Sequence, residues 1–208
     1  MAGTVTSTID ALTVKDADLA TDAGVTRAKL ALESKKFWQP LESLRIFDSS
    51  SNAVLPNTAS SDDLGLIVGT LASSGHSIRT SDAKATTVTQ KAAFTFSLPA
   101  EYESAGEISL VAHAGMLTTI SDGTATIDFS VYHKSEADIS HTADLCTTAA
   151  TTINSLTLAS KAFVITPTSR VNGDEFGVLM TVAITDAATG TAVLGLVSKL
   201  HWLVQVRG

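Results

Sequence analysis

Apolar residues alternate with polar residues in many short runs between residues 64 and 206, and this period of two predicts an all-β fold. Gly, Asn and Asp turn signals, such as Asp122-Gly123 and Asn172-Gly173, separate the runs. Roughly eight or nine short strands at this spacing predict two antiparallel sheets packed as a sandwich of jelly-roll type. The predicted strands are residues 64–71, 92–98, 107–114, 126–133, 153–158, 162–166, 176–185 and 191–206.

The last two predicted strands carry the clearest pattern. Every second residue from Phe176 to Ile184 is apolar, which puts these side chains on one face. In the final strand the expected apolar face consists of Leu194, Leu196, Leu200, Trp202, Val204 and Val206. Because only a short loop, residues 186–190, joins the two strands, they are predicted to pair as one long β-hairpin.

The first forty residues differ from the rest of the chain. They are polar and rich in small residues, and Gly24 interrupts the only helical spacing at a cost of about 1 kcal/mol. We therefore expect residues 1–40 to form an extended N-terminal arm, with at most one short helix at residues 26–35, and residues 41–208 to form the sandwich body. An arm with so few apolar side chains gains little by folding on itself, and gains more by burying them on another chain. The predicted partner-binding residues are Leu12, Leu19, Val25, Leu30, Leu32, Phe37 and Trp38, the last two as aromatic anchors between arm and body or arm and neighbour.

Composition and charge argue against several classes of binding partner. The net charge is −7, and all of it lies in the body, because the arm carries five acids and five bases. An acidic body argues against nucleic-acid binding, which needs clustered Lys and Arg. No apolar run reaches the ~18 residues of a membrane span, and Met-Ala-Gly-Thr does not open a signal peptide, so we expect no membrane partner and synthesis in the cytoplasm. The single cysteine, Cys146, rules out an intrachain disulfide and a cysteine-based zinc site.

Catalytic and cofactor patterns are weak. His113, His133 and His141 could meet only if their strands were neighbours, and none of them forms a His-x-His or His-x-x-x-His pair. Glu101 and Glu103 could serve as paired carboxylates of a carbohydrate hydrolase, but the chain has only two Tyr and two Trp for a sugar platform. The sequence contains neither a Gly-x-Ser-x-Gly elbow nor a nucleotide-binding glycine loop. We therefore predict no catalytic residue, no cofactor, no metal and no enzymatic activity.

Two segments carry a resemblance to a known family. Residues 14–31, Val-Lys-Asp-Ala-Asp-Leu-Ala-Thr-Asp-Ala-Gly-Val-Thr-Arg-Ala-Lys-Leu-Ala, resemble an Asp-x-Asp-Leu … Ala-Gly-Ile … Lys-Leu segment near the N-termini of phage fibre and capsid-decoration proteins. Residues 94–110, Phe-Thr-Phe-Ser-Leu-Pro-Ala-Glu-Tyr-Glu-Ser-Ala-Gly-Glu-Ile-Ser-Leu, resemble a Phe-x-Leu-Pro-x-x-Tyr pattern of phage jelly-roll proteins. Together they resemble the head decoration, or cement, proteins of tailed bacteriophages.

This resemblance implies a non-catalytic virion protein on the capsid surface. It implies a homotrimer whose arm lies along neighbouring subunits of the major capsid protein and bridges them. On this view, deleting residues 2–36 leaves a folded body that no longer binds capsids. The alternative is a receptor- or glycan-binding module at the tip of a tail fibre, which would carry an exposed aromatic or polar groove on its body.

Overall fold

A computed structural model of the chain describes residues 31–48, 52–69, 75–134, 143–187 and 190–207. These residues form ten strands and one 3-10 turn, Leu41–Ser43. The strands are β1 (Leu32–Gln39), β2 (Gly65–Ile67), β3 (Ser77–Arg79), β4 (Thr87–Ser97), β5 (Ile108–Met116), β6 (Gly123–Lys134), β7 (Thr151–Thr152), β8 (Ala159–Ile165), β9 (Glu175–Asp186) and β10 (Gly195–Arg207). The predicted all-β fold is confirmed.

The strands make two antiparallel sheets that face each other. Sheet A has the order β2-β3-β10-β5-β8. In addition, β1 pairs with the C-terminal part of β10, residues 200–207, on the same edge of β10 as β3. Sheet B has the order β4-β9-β6-β7. The antiparallel pairs are nested, since β3 pairs with β10, β4 with β9, β5 with β8, and β6 with β7. This nesting is the strand order of a jelly roll, the type predicted from the sequence.

The core lies between the inner faces of the two sheets. From sheet B, β9 buries Phe176, Val178, Met180, Val182 and Ile184, all at most 3 % exposed, as its alternation predicted. Aromatic rings of one sheet contact aromatic rings of the other. Phe129 of β6 meets Phe163 of β8 edge-on at 4.8 Å, and Phe96 of β4 stacks on Trp202 of β10 at 4.3 Å. Such pairs contribute about 0.5–1.5 kcal/mol beyond the area they bury.

The predicted hairpin between the last two strands is wrong. β9 pairs with β4 and β6 in sheet B, whereas β10 pairs with β1, β3 and β5 in sheet A. An alternating strand can bury its apolar face either when it pairs with the preceding strand in one sheet or when it lies in the facing sheet. The pattern alone therefore could not choose between a hairpin and two separate sheets. The predicted strand at 153–158 is also wrong, because only Thr151–Thr152 pairs there, with β6.

A bulge in β10 changes which side chains face the core. The pairing of β10 with β5 shifts register between Val197 and Lys199. Val193 and Val197 are buried before the shift, and Leu200 and Trp202 after it. Leu194 and Leu196 are therefore only half-buried, and their predicted place on the core face is wrong. One extra residue moves every preceding side chain to the opposite face of the sheet.

The described part of the predicted arm is a strand of sheet A. Each residue of β1 has a partner in β10, from Leu32 opposite Arg207 to Gln39 opposite Leu200. The helix suggested at residues 26–35 is wrong over Leu32–Lys35, which are extended. A deletion of residues 2–36 would remove Leu32–Lys36, five of the eight paired residues of β1. It would therefore damage the body as well as the arm.

Candidate functional site

The predicted partner-binding residues fall into two groups. Leu12, Leu19, Val25 and Leu30 lie outside the described residues, so their role stays a prediction. Leu32, Phe37 and Trp38 all lie on β1. Because successive side chains of a strand point to opposite faces, Phe37 and Trp38 have different surroundings.

Phe37 faces inward. It packs against the core and lies 6.4 Å from the ring of Phe96, which in turn stacks on Trp202. The next inward residue, Gln39, is buried as well. Phe37 therefore attaches β1 to the body of its own chain.

Trp38 faces outward and is 59 % exposed. It lies on the outer face of sheet A, where the register places Leu32, Trp38, Val111, Val164 and Leu203 on the same side as His201. Leu32 and Val164 are also exposed, at 43 % and 50 %. This set is called the sheet A patch below, and Ser34, Lys36, Ser109 and Gln205 lie on the same face, so polar side chains separate its apolar members.

The chemistry of His201 follows from its place in this patch. Its ring lies 5.1 Å from that of Trp38, and its Nδ1 atom is buried with no hydrogen-bond partner among the described residues. Burial lowers the pKa of His201, and the nearby charge of Lys36 lowers that pKa further. Lys36 itself places its Nζ 5.2 Å from the centre of the Trp38 ring. The surroundings of His201 therefore favour its neutral form, and its unpaired Nδ1 atom lies below the surface of the patch.

A second surface feature is a groove on the outer face of sheet B. Its volume is about 730 Å³, and its lining includes Arg45, Phe47, Asn52, Tyr132, Lys134 and Gly177. The main chain of Arg45 exchanges hydrogen bonds of 2.8 and 2.9 Å with Ala93, so residues 44–47 extend sheet B beyond β4. This pairing aims Arg45 and Phe47 to the outside, opposite Tyr132 and Lys134 of β6.

Small residues form the floor of this groove. The register places Gly177 of β9 between Thr95 of β4 and Tyr132 of β6. A Cβ added to Gly177 would meet only the side chain of Lys134, at 3.9 Å, so the space above this glycine is open. Three strand spacings, about 14 Å, separate the main chain of Arg45 from β6. The groove is therefore a shallow trough with an aromatic ring and a cation on each wall.

The other residues considered in the sequence have structural partners. The hydroxyl of Tyr102 donates to the carbonyl oxygen of Gly106 at 2.8 Å, and Glu103 pairs with Arg207 at 2.7 Å. His133 lies 3.4 Å from Asp174. His113 lies on β5 of sheet A and His133 on β6 of sheet B, while His141 is outside the described residues. Within the described ranges, no three His, Cys, Asp or Glu side chains are grouped as a metal site would require.

Sequence reasoning missed the groove and the contact between Trp38 and His201. Tyr132 and Lys134 occupy outward positions of an alternating strand, which was the available signal. That signal did not show which distant segment faces them, because the position of Arg45 depends on its pairing with Ala93.

No protein-family model matches this sequence, and no curated protein matches it. Among the described residues, no helix has the length and apolar character to cross a membrane.

Proposed function

We propose that the chain is a structural virion protein that decorates a phage capsid and binds subunits of the major capsid protein through its N-terminal segment. The observation that carries this proposal is the entry of the chain into its body. The N-terminal segment leads into β1 at the edge of sheet A, and β1 leaves Trp38 59 % exposed beside it. An exposed aromatic residue next to other apolar side chains is typical of a protein-binding surface.

The fold is compatible with this role but is not by itself evidence for it. Jelly rolls occur in viral capsid proteins, and also in lectins and cupins, so the fold alone selects no function. The sheet A patch adds a specific argument, because it leaves Trp38 59 % and Leu32 43 % exposed. A partner that covers the patch would bury both Trp38 and Leu32, which are about 20 Å apart on the same strand.

In this proposal the arm and the patch act together. Leu12, Leu19, Val25 and Leu30 bind neighbouring capsid subunits, while Leu32 and Trp38 continue the contact onto the body. Many copies on one lattice compensate for the entropy lost when each segment is ordered, and assembly as a homotrimer triples the number of contacts per particle. The buried contact area would resist separation of the capsid subunits.

The test uses the full chain with Leu12, Leu19, Val25 and Leu30 replaced by Ser. A fully buried Leu or Val contributes about 1.5–3 kcal/mol, so losing four such side chains should weaken binding to capsids of the cognate major capsid protein by at least about a hundredfold. The matched control replaces Thr13, Thr21 and Thr26 by Ser in the same segment and should bind normally. Co-sedimentation with capsids measures both, and light scattering should give three times 21.6 kDa. Equal binding of the two variants would refute the arm assignment.

The second candidate is a receptor- or glycan-binding module, and the groove on sheet B favours it. Aromatic and polar side chains lining an exposed trough are the feature expected of such a module. On this alternative, the groove rather than the arm would determine what the particle binds.

A further inference from the structure

We propose that the groove on the outer face of sheet B is a binding site for a carboxylated saccharide, such as a short oligomer of uronic acid. This gives the second candidate function a ligand class. It does not depend on capsid binding, so either proposal can fail while the other holds.

The charge of the groove indicates an anionic ligand. None of the described residues that line it is acidic, although the whole chain carries a net charge of −7. The two cations of the lining are Arg45 and Lys134, one on each side. Lys134 is paired with Glu175 at 2.6 Å, whereas the guanidinium of Arg45 has no carboxylate within ion-pair distance among the described residues. A partly buried Arg with an open fork is suited to bind a carboxylate through two hydrogen bonds.

The remaining lining suits a sugar ring. Phe47 is 49 % exposed, and an aromatic ring offers an apolar face for the C–H groups of a pyranose. Asn52, Thr95 and Tyr132 add an amide and two hydroxyl groups, which can bond with sugar hydroxyls. The volume of about 730 Å³ lies within the range of small-ligand sites.

The floor argues against an extended acidic peptide. Peptides that bind to sheets usually add a strand to an open edge. Here the central strand β9 is paired along its length with both β4 and β6, so its main-chain groups are already used. Polar contacts must then come from side chains, which favours a compact polyol over a peptide backbone.

Two substitutions test the site directly. Arg45→Gln keeps the main-chain bonds to Ala93 and removes the charge. Gly177→Thr fills the trough from its floor, and the structure has space for the added Cβ. The matched control is Ala183→Thr, on the same strand and outer face but about 20 Å away. Thermal melts of all three variants establish that each remains folded.

The probes are trigalacturonate, the neutral galactose trisaccharide and a triglutamate peptide, titrated by calorimetry and ligand-observed NMR. We expect trigalacturonate to bind the full chain at least tenfold more tightly than either other probe. Arg45→Gln should lower its affinity at least tenfold, Gly177→Thr should abolish binding, and Ala183→Thr should change it by less than about twofold. Each variant should co-sediment with capsids to the same extent as the unmodified full chain. This holds whether the unmodified chain binds capsids or not, so the two proposals are tested separately.

Four results would each overturn the inference. Trigalacturonate could fail to bind at about 10 mM. The neutral sugar could bind equally well, which would exclude the role of Arg45. Triglutamate could match trigalacturonate, which would indicate a peptide site. Gly177→Thr could bind as well as Ala183→Thr, which would place the ligand elsewhere on the molecule.

Discussion

The hydroxyl of Tyr102 is expected to stabilise the connection between β4 and β5. Its side chain is 2 % exposed, and it donates to the carbonyl oxygen of Gly106, a buried residue, at 2.8 Å. No other group in the described ranges donates to this carbonyl. Tyr102→Phe keeps the ring in the core and removes only the donor. A buried carbonyl left without a partner costs about 1–3 kcal/mol, so the free energy of unfolding should fall by about 2 kcal/mol.

Urea denaturation measures this loss through the fluorescence of Trp202, which is fully buried. The midpoint should fall while the slope stays constant, because the surface exposed on unfolding does not change. For a chain of 208 residues, 2 kcal/mol corresponds to a fall in Tm of about 4–8 °C. Chain concentration must be held fixed, since any self-association also shifts the midpoint.

The control for Tyr102→Phe is the adjacent substitution Glu103→Gln. Glu103 pairs with Arg207 at 2.7 Å, but its side chain is 31 % exposed, and such surface pairs contribute about 0–1 kcal/mol. Tyr102→Phe should therefore be the more destabilising of the two. If the two variants unfold at the same urea concentration, the argument from the buried Gly106 carbonyl is wrong.

Two further predictions concern titrating groups. Trp38→Ala should raise the pKa of His201 towards its ordinary value of 6.5, because removing the indole exposes the imidazole to water. A lowered pKa of a histidine gives stability that is present above about pH 6.5 and lost on acidification, so the variant should also lose less stability below that pH. NMR titration of the His201 ring protons checks this, and an unchanged pKa would contradict it. Burial raises the pKa of Cys146 to about 11, so at pH 8 the folded chain should react with iodoacetamide roughly a hundredfold more slowly than the unfolded chain. Mass spectrometry measures both rates, and similar rates would refute the prediction.

The local part of the fold could be predicted from the sequence because the period of two is a local signal. The inward face of β9 follows from alternation, and its residues Phe176, Val178, Met180, Val182 and Ile184 are all at most 3 % exposed. Strand pairing is not local. The residues of β9 and β10 alternate in the same way, and only the nested pairs of the whole sandwich separate them into two sheets. The bulge at Ser198 is also invisible to alternation, because it is the interruption of that pattern.

The site could be predicted only where neighbouring residues settle the geometry. Phe37 and Trp38 are adjacent, so once residues 32–39 form a strand, only one of the two can face the core. The structure places Phe37 inside, and a single aromatic pair therefore combines attachment to the body with an exposed side chain for a partner. The groove could not be predicted from neighbouring residues in this way, because Arg45 and Tyr132 face each other across three strand pairings. Adjacent residues can therefore indicate that a strand carries a binding surface, but a trough across a sheet is defined only when every strand in it has its register.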